Sequence, residues 1–338
     1  MTATAHSPAP VLCGLGTWLP PHVVTNEDLS RELDTSDEWI RSRTGIGRRH
    51  VVQPGEATSD LAVEAGRRAL KSAGLDTVDM VIVATTTPDR QCPATAPLVA
   101  SRLGLGTVPA FDVGAVCTGF LYALATAAGF LAAGTARTVL VVGADTYSTI
   151  LDPADRSARA IFGDGAGAVV VRAGRADEPG AFGPVELASD GSGCDLIMVP
   201  SGGSRDPFRA ATAQQADPFF RMQGKKVFRS AVERMAQSSL TVAERFGWSV
   251  DDIDLLVAHQ ANIRIMHGVA DSVGLPRSRC HVHLDRVGNT AAASIPLALA
   301  DAVESGRLTP GARVLTTAFG GGLTWGAAAL RWPDISPA

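Results

Sequence analysis

The chain has 338 residues, 46% hydrophobic and 19% charged with 35 glycines, a composition that excludes intrinsic disorder and supports a large core of two domains or two related halves. Its net charge of -4 gives no global attraction to nucleic acid. The five cysteines, Cys13, Cys92, Cys117, Cys194 and Cys280, form an odd set without a CxxC pair; with no signal peptide ahead of them, this points to reduced thiols, no structural metal and a cytoplasmic address.

In chain order, Asn26 to Pro54 reads as an excursion from the core, followed by a buried strand over Val78 to Thr85. A second strand over Phe111 to Val116 runs into an apolar helix that starts at Cys117 and stops at Gly134. The stretch Val113 to Ala136 lacks charge and has the length of a membrane span, but its Ala, Gly and Thr content and strand-like start predict a buried helix of a water-soluble protein. Phe162 to Ala168 (FGDGAGA) opens a further apolar run, and Arg172 to Pro184 reads as a loop.

Beyond that loop the pattern returns. Ile253 to His259 repeats the shape of Val78 to Thr85, so that His259 and Thr85 fall at corresponding strand ends. Asn289 opens an apolar helix that stops at Gly306, 17 residues on, as Gly134 lies 17 residues after Cys117; equal spacing makes Asn289 and Cys117 equivalent. Phe319 to Gly322 and then Trp325 to Ala327 echo FGDGAGA. Two βα halves about a pseudo-twofold axis are expected, residues 1–175 and 176–338, with parallel strands covered by helices. The polar stretch Ser201 to Asp217 breaks the symmetry, as Asn26 to Pro54 does, and excursions of this kind cover sites.

Cys117 sits where a strand turns into a helix, a place where the helix terminus favours a thiolate. A cysteine at an arbitrary position is more often a small buried hydrophobe, the reading given to the other four. His259 ends an apolar strand ahead of Gln260, Ala261 and Asn262, and strand ends are where ligands gather in α/β folds. A thiolate to attack an acyl thioester and two neutral donors for an enolate oxygen make a coherent set. Gly320 to Gly322 allow a further backbone N–H to come close, or form a tight turn.

The runs AVCTGF around Cys117, HQANIRI from His259, GNTAAAS from Gly288, FGDGAGA from Phe162, AFGGGLTWG from Ala318, DTSDEWI from Asp34 and RTGI from Arg43 together resemble the β-ketoacyl-acyl-carrier-protein synthase III family, over nearly the whole chain. The resemblance implies a thiolase-like α/β fold, two pseudo-symmetric halves in a layered αβαβα architecture. It implies an acyltransferase that loads Cys117 from an acyl-CoA and condenses the acyl group with malonyl-acyl carrier protein, carbon dioxide leaving, to initiate fatty acid or polyketide chains. His259 and Asn289 would stabilise the enolate, and the N–H groups of Cys117 and Gly321 would form the oxyanion hole. Coenzyme A positions carry over to Trp39, Arg43 and Arg156, with Gly224, Phe228 and Asn262 along the pantetheine channel and no permanently bound cofactor. Arg41, Arg48 and Arg49 have no matched role and read as surface charges.

An acidic carrier protein calls for a basic rim, here Lys225, Lys226, Arg229 and Arg264; Asp271 and Ser272 stand where well-known members have lysines. The family also implies a homodimer in which position 92 reaches the partner's acyl pocket. Cys92 is small where acetyl-preferring members have a bulky aromatic, which favours a larger starter, while Tyr147 is placed to give the volume back beside Phe162 and Phe220. The nearest alternative is a thiolase-fold acyltransferase passing the acyl group to an alcohol or amine. A cysteine hydrolase would need His259 as the base for the thiol, and a non-catalytic carrier-binding subunit would not need the intact Cys, His and Asn set.

Overall fold

The computed structural model describes residues 8–183, 185–209 and 216–338. Part of the Ser201 to Asp217 excursion, and Pro184 of the predicted inter-half loop, lie outside the described residues.

Two sheets carry the fold. The first contains β1 (Ala9–Trp18), β2 (Met80–Ala84), β3 (Ala110–Val113), β4 (Thr138–Asp145) and β5 (Gly165–Gly174), in the order β1-β5-β4-β2-β3. The second contains β6 (Glu186–Ser189), β7 (Leu255–Ala258), β8 (Arg313–Gly320) and β9 (Thr324–Arg331), in the order β6-β9-β8-β7, and Cys280 bridges Leu256 in parallel at the β7 edge. Position by position the two sheets match, the Cys280 segment standing in for β3.

The strands are not all parallel, as the repeat had suggested. Only β2 with β3 and β4, and β7 with β8, run parallel; β4–β5, β5–β1, β8–β9 and β9–β6 are antiparallel. Parallel neighbours need a crossover, whereas antiparallel ones can be joined directly, and β8 reaches β9 through Gly321, Gly322 and Leu323 alone.

Helices separate and cover the sheets. The outer face of the first sheet takes α1 (Thr58–Ala73), whose Leu61, Ala62, Ala65, Ala69 and Leu70 form a buried stripe, ended by Gly74 in the left-handed conformation. Strand and helix approach closely here: a Cβ on Gly16 would lie 2.2 Å from the Ala69 nitrogen. Between the sheets lie α2 (Gly119–Ala132) and the later helix α5 (Ser294–Glu304), and the far side of the second sheet carries α3 (Gly224–Arg245) and α4 (Ile263–Val273). Phe120, Leu121, Leu124 and Leu131 of α2 are buried in the core shared by both sheets. Enclosure on both sides explains the uncharged Val113 to Ala136 run; among the described residues no helix is long and apolar enough to cross a membrane.

Several finer expectations change. Arg172, Ala173 and Gly174 belong to β5, so the connecting loop starts at Arg175. Gly165 and Thr324 are matched in the two sheets, pairing with Asp145 and Gly320, so Trp325-Gly326-Ala327 answers Ala166-Gly167-Ala168 as expected. Phe319 answers Ala144 on β4, not Phe162. Arg49 is not a surface charge: it is 1% exposed, its guanidinium donating to Asn26 Oδ1 at 2.8 Å, to the Ala160 carbonyl at 2.8 Å and to the Val24 carbonyl at 3.2 Å. The short strand Arg48–His50 alternates its side chains, and Arg49 is the inward one.

Candidate active site

After β3 the chain passes Gly114 and Ala115, enters the left-handed region at Val116 (φ 49°) and makes a 3₁₀ turn over Val116–Thr118 before α2 begins. A β-branched residue with positive φ is strained. The turn is pinned by the Thr118 hydroxyl, 2.8 Å from the Thr324 hydroxyl, and by the Thr118 N–H donating to the Ala115 carbonyl at 3.0 Å. The only other non-glycine residue with positive φ among the described residues is Ala291 (φ 48°), which opens the 3₁₀ turn before α5.

These two bends are the equivalent ones. Cys117 therefore corresponds to Ala292, not Asn289, which lies three residues earlier. The equal spacings to Gly134 and Gly306 arise because α5 has 11 residues against 14 in α2.

Despite that, the structure brings Cys117, His259 and Asn289 to one cavity of about 530 Å³, where they are 9%, 2% and 5% exposed. His259 follows β7, and its backbone N–H donates to the Thr317 carbonyl at 2.7 Å. Its Nδ1 lies 2.6 Å from the hydroxyl of Ser294, the first residue of α5. Burial lowers its pKa to about 3, so the imidazole is neutral at physiological pH. Asn289 is fixed on both sides by backbone bonds, its N–H to the Ile161 carbonyl at 2.9 Å and its carbonyl from the Gly163 N–H at 3.0 Å. Its side-chain Oδ1 accepts the Ala291 N–H at 2.9 Å, which leaves the amide NH₂ for the cavity.

The thiol departs from expectation. Burial, with the carboxyl of Asp145 adding to it, pushes the Cys117 pKa up, while its own backbone N–H pulls the other way. The field of a helix terminus does not outweigh enclosure in apolar surroundings, so the resting residue is a thiol. Asp145, fully buried at the end of β4, has its own pKa raised to about 7 by burial, opposed by hydrogen bonds from the Thr86 N–H at 2.7 Å, the Ala292 N–H at 3.0 Å and the hydroxyls of Thr85 and Thr87. Gly320 holds the matching place on β8. There a Cβ would lie 2.9 Å from the Cys117 nitrogen.

Arg43, Gly224, Phe228 and Asn262 line the same cavity. Asn262 caps α4, its Oδ1 accepting the Arg264 N–H at 2.8 Å while its Nδ2 donates to the Arg43 carbonyl at 2.9 Å. Trp39 and Arg156 stand outside the lining but join it through stacking: the guanidinium carbons of Arg43 and Arg156 lie 4.6 and 5.1 Å from the Trp39 ring centre. Gly320, not Gly321, borders the cavity; Gly321 is buried beside it. Of the basic residues, Lys225 and Arg264 line the cavity, and Arg229 borders a neighbouring surface groove with Phe228, Leu240 and Ser272.

Sequence reasoning missed Ser294 and Asp145. Asp145 ends the apolar strand β4 as His259 follows β7, so the signal that marked the histidine was present there too. Ser294 lies within GNTAAAS, and its contact with His259 required the fold.

The model of 3-oxoacyl-[acyl-carrier-protein (ACP)] synthase III matches residues 111–191, and that of the C terminal of the same enzyme matches residues 243–332. Together they cover just over half of the chain. The chain belongs to the 3-oxoacyl-acyl-carrier-protein synthase III family. It is 61% identical over 331 residues to beta-ketoacyl-[acyl-carrier-protein] synthase III 3 of Streptomyces coelicolor, covering 97% of this chain and 99% of that one. The crystal structure of 3-oxoacyl-(acyl carrier protein) synthase III from Pseudomonas aeruginosa PAO1 superposes with a TM-score of 0.92 at 51% identity, covering 97% of this chain and all of that one. The priming beta-ketosynthase from the R1128 polyketide biosynthetic pathway gives 0.90 at 35%, with 98% of each chain covered. Members of the synthase III family are condensing acyltransferases of thiolase-like fold, and this chain is one.

Proposed function

We propose that this acyltransferase joins an acyl group from an acyl-CoA to malonyl-acyl carrier protein in a decarboxylating Claisen condensation that starts fatty acid or polyketide chains. One observation carries the reading. At the Cys117 end of the cavity, Asn289 has its amide oxygen engaged and His259 its Nδ1, so each turns a remaining nitrogen to the reacting groups. A Ser294 hydroxyl that donates to Nδ1 leaves the proton on Nε2, and in that tautomer both side chains are neutral donors. A hydrolase would want His259 as a base, with a carboxylate or carbonyl accepting from Nδ1; a hydroxyl there suits a donor better.

The acyl carbonyl carbon takes Cys117 sulfur as the CoA sulfur leaves, and the thiol proton goes to the departing CoA. The bond between the malonyl α-carbon and its free carboxylate then breaks. Carbon dioxide departs, and the N–H groups of His259 and Asn289 hold the enolate oxygen. Its α-carbon attacks the acyl thioester, Cys117 leaves as thiolate and regains a proton, and a 3-ketoacyl-acyl carrier protein is released. The Cys117 and Gly321 N–H groups serve as the oxyanion hole.

Coenzyme A stacks its adenine on Trp39 and places phosphates by Arg43 and Arg156, with pantetheine passing Gly224, Phe228 and Asn262. Arg156 is ion-paired with exposed Asp34 at 3.0 Å, a contact weak enough to yield to a phosphate. An acidic carrier protein docks at Lys225, Lys226, Arg229 and Arg264. Asp271 opposes it little, being paired with Arg277 at 2.6 Å. The chain works in the cytoplasm as a homodimer, for which the unpaired edge of β3 offers a place for a second copy.

Half-reaction measurements test the assignment. Cys117→Ala abolishes the acyl adduct, while His259→Ala or Asn289→Ala slows carbon dioxide release by roughly 100-fold, the scale of losing one such donor, and leaves acyl transfer from CoA largely intact. Equal losses in both half-reactions would contradict the division of roles.

A further inference from the structure

Gln260, next to His259, is completely buried, which is uncommon for a glutamine. Its amide has no free valence. Nε2 donates to the Ala258 carbonyl at 2.8 Å and the His281 carbonyl at 3.2 Å, and Oε1 accepts the N–H groups of His283 at 2.8 Å and Leu284 at 3.1 Å. Two carbonyls on one side and two N–H groups on the other fix which way the amide points. The side chain does not border the cavity, although His259, Ala261 and Asn262 do.

The Cys280 segment runs beside β7 as a parallel strand would, Cys280 bridging Leu256 and the His281 N–H donating to the Leu256 carbonyl at 2.9 Å. The next rung of such a ladder would take the His283 N–H to the Ala258 carbonyl. The Gln260 amide stands in that rung, accepting from the one and donating to the other. The two backbones are thereby held apart by the width of an amide, just where β7 gives way to His259. From His283 the chain enters the short helix Leu284–Val287 and reaches Asn289. That helix is also tied to α5, the Arg286 guanidinium donating to the Asp301 carboxylate at 2.7 Å.

His259 and Asn289 have one enolate oxygen to hold between them, and each donor must lie about 2.7–3.1 Å from it. Their separation is set by whatever spaces β7 from the segment that leads to Asn289. We propose that Gln260 is that spacer, a positioning residue for the decarboxylating step that touches neither thioester. The inference rests on the condensing reading above.

The test follows two half-reactions on the full chain: acylation of Cys117 by acetyl-CoA, read by intact-protein mass spectrometry, and carbon dioxide release when malonyl-acyl carrier protein is added to the acetylated enzyme. Gln260→Met, equal in length and without hydrogen-bonding groups of that strength, slows carbon dioxide release by roughly 100-fold, the scale of an ångström's misplacement, and leaves acylation largely intact. Gln260→Glu places a buried carboxyl against two carbonyls, which favours its neutral form. Protonated it keeps one donor and ionised it keeps none, so carbon dioxide release as a fraction of wild type falls as the pH is raised from about 5.5 to 8.5. Arg286→Ala removes a half-exposed side chain and loosens the same segment should Gln260→Met not fold; it slows carbon dioxide release roughly fivefold to tenfold, the worth of about one hydrogen bond. Release at the wild-type rate in these variants overturns the proposal, and so do equal losses in both half-reactions, the mark of a role in folding alone. The wild type judges the reading beneath: discharge of its acetyl adduct without carbon dioxide counts against the reaction and leaves Gln260 nothing to position, whereas coupled release there with unimpaired variants counts against Gln260 only.

Discussion

Ser294 decides what His259 is able to do. Burial keeps the imidazole neutral, with its pKa lowered to about 3, and the hydroxyl 2.6 Å from Nδ1, in the donating role proposed above, leaves the proton on Nε2. The Ser294→Ala variant loses that selection; carbon dioxide release slows roughly tenfold, the worth of about one hydrogen bond, with acyl transfer unchanged and Ser294→Thr restoring the rate. Nitrogen-15 NMR of histidine at pH 7 shows the Nε2–H form in the wild type and a mixture in Ser294→Ala. An unaltered tautomer in the variant would remove Ser294 from this role. At this scale the sequence was informative where a side chain ends a strand, as at His259, and silent where a contact spans the fold, as between His259 and Ser294. The thiol of Cys117 and the inward guanidinium of Arg49 were misjudged for one reason: burial is a property of the packed molecule.

The bends before α2 and α5 are where element geometry becomes chemistry. At Ala292 the N–H is taken by the carboxylate of Asp145 at 3.0 Å; at Cys117 the matching strand residue is Gly320, and the N–H faces no such side chain. The difference between aspartate and glycine at matched strand ends leaves the Cys117 N–H without a carboxylate partner, as the proposed oxyanion hole requires. Gly320→Ala puts a Cβ 2.9 Å from the Cys117 nitrogen and displaces that donor, so acylation of Cys117 falls by roughly 100-fold or more while the circular dichroism spectrum is kept. Full acylation in Gly320→Ala would show that the Cys117 N–H is not used. The terminal glycines Gly134 and Gly306 pointed to both helices, yet the correct register was hidden, because α5 is shorter than α2 and the two count-matched glycines mark helix ends, not helix starts.

Across the whole molecule, Asp145 ties one half to the other through its bonds to Thr85, Thr86 and Thr87 on one side and Ala292 on the other. Its pKa is raised from 3.8 to about 7, so the folded protein holds a proton that the unfolded chain releases over that interval. The stability this contributes is fully present below pH 3.8 and lost as pH rises through about 7. Asp145→Asn removes the dependence. Its urea-unfolding free energy therefore increases relative to that of wild type between pH 4.5 and 7.5, by on the order of 4 kcal/mol at most; parallel pH curves would contradict this.

Two halves were legible because the apolar strand and helix pattern occurs twice. The antiparallel pairings were not, since β8 to β9 turns on three residues while β4 to β5 runs through the long Thr146 to Asp164 connection. The most direct test of the account loads wild-type protein with acetyl-CoA and then adds malonyl-acyl carrier protein labelled in its free carboxyl carbon. The acyl adduct on Cys117 discharges with one labelled carbon dioxide for each 3-ketoacyl-acyl carrier protein formed. Discharge to water without carbon dioxide release would contradict the condensing mechanism.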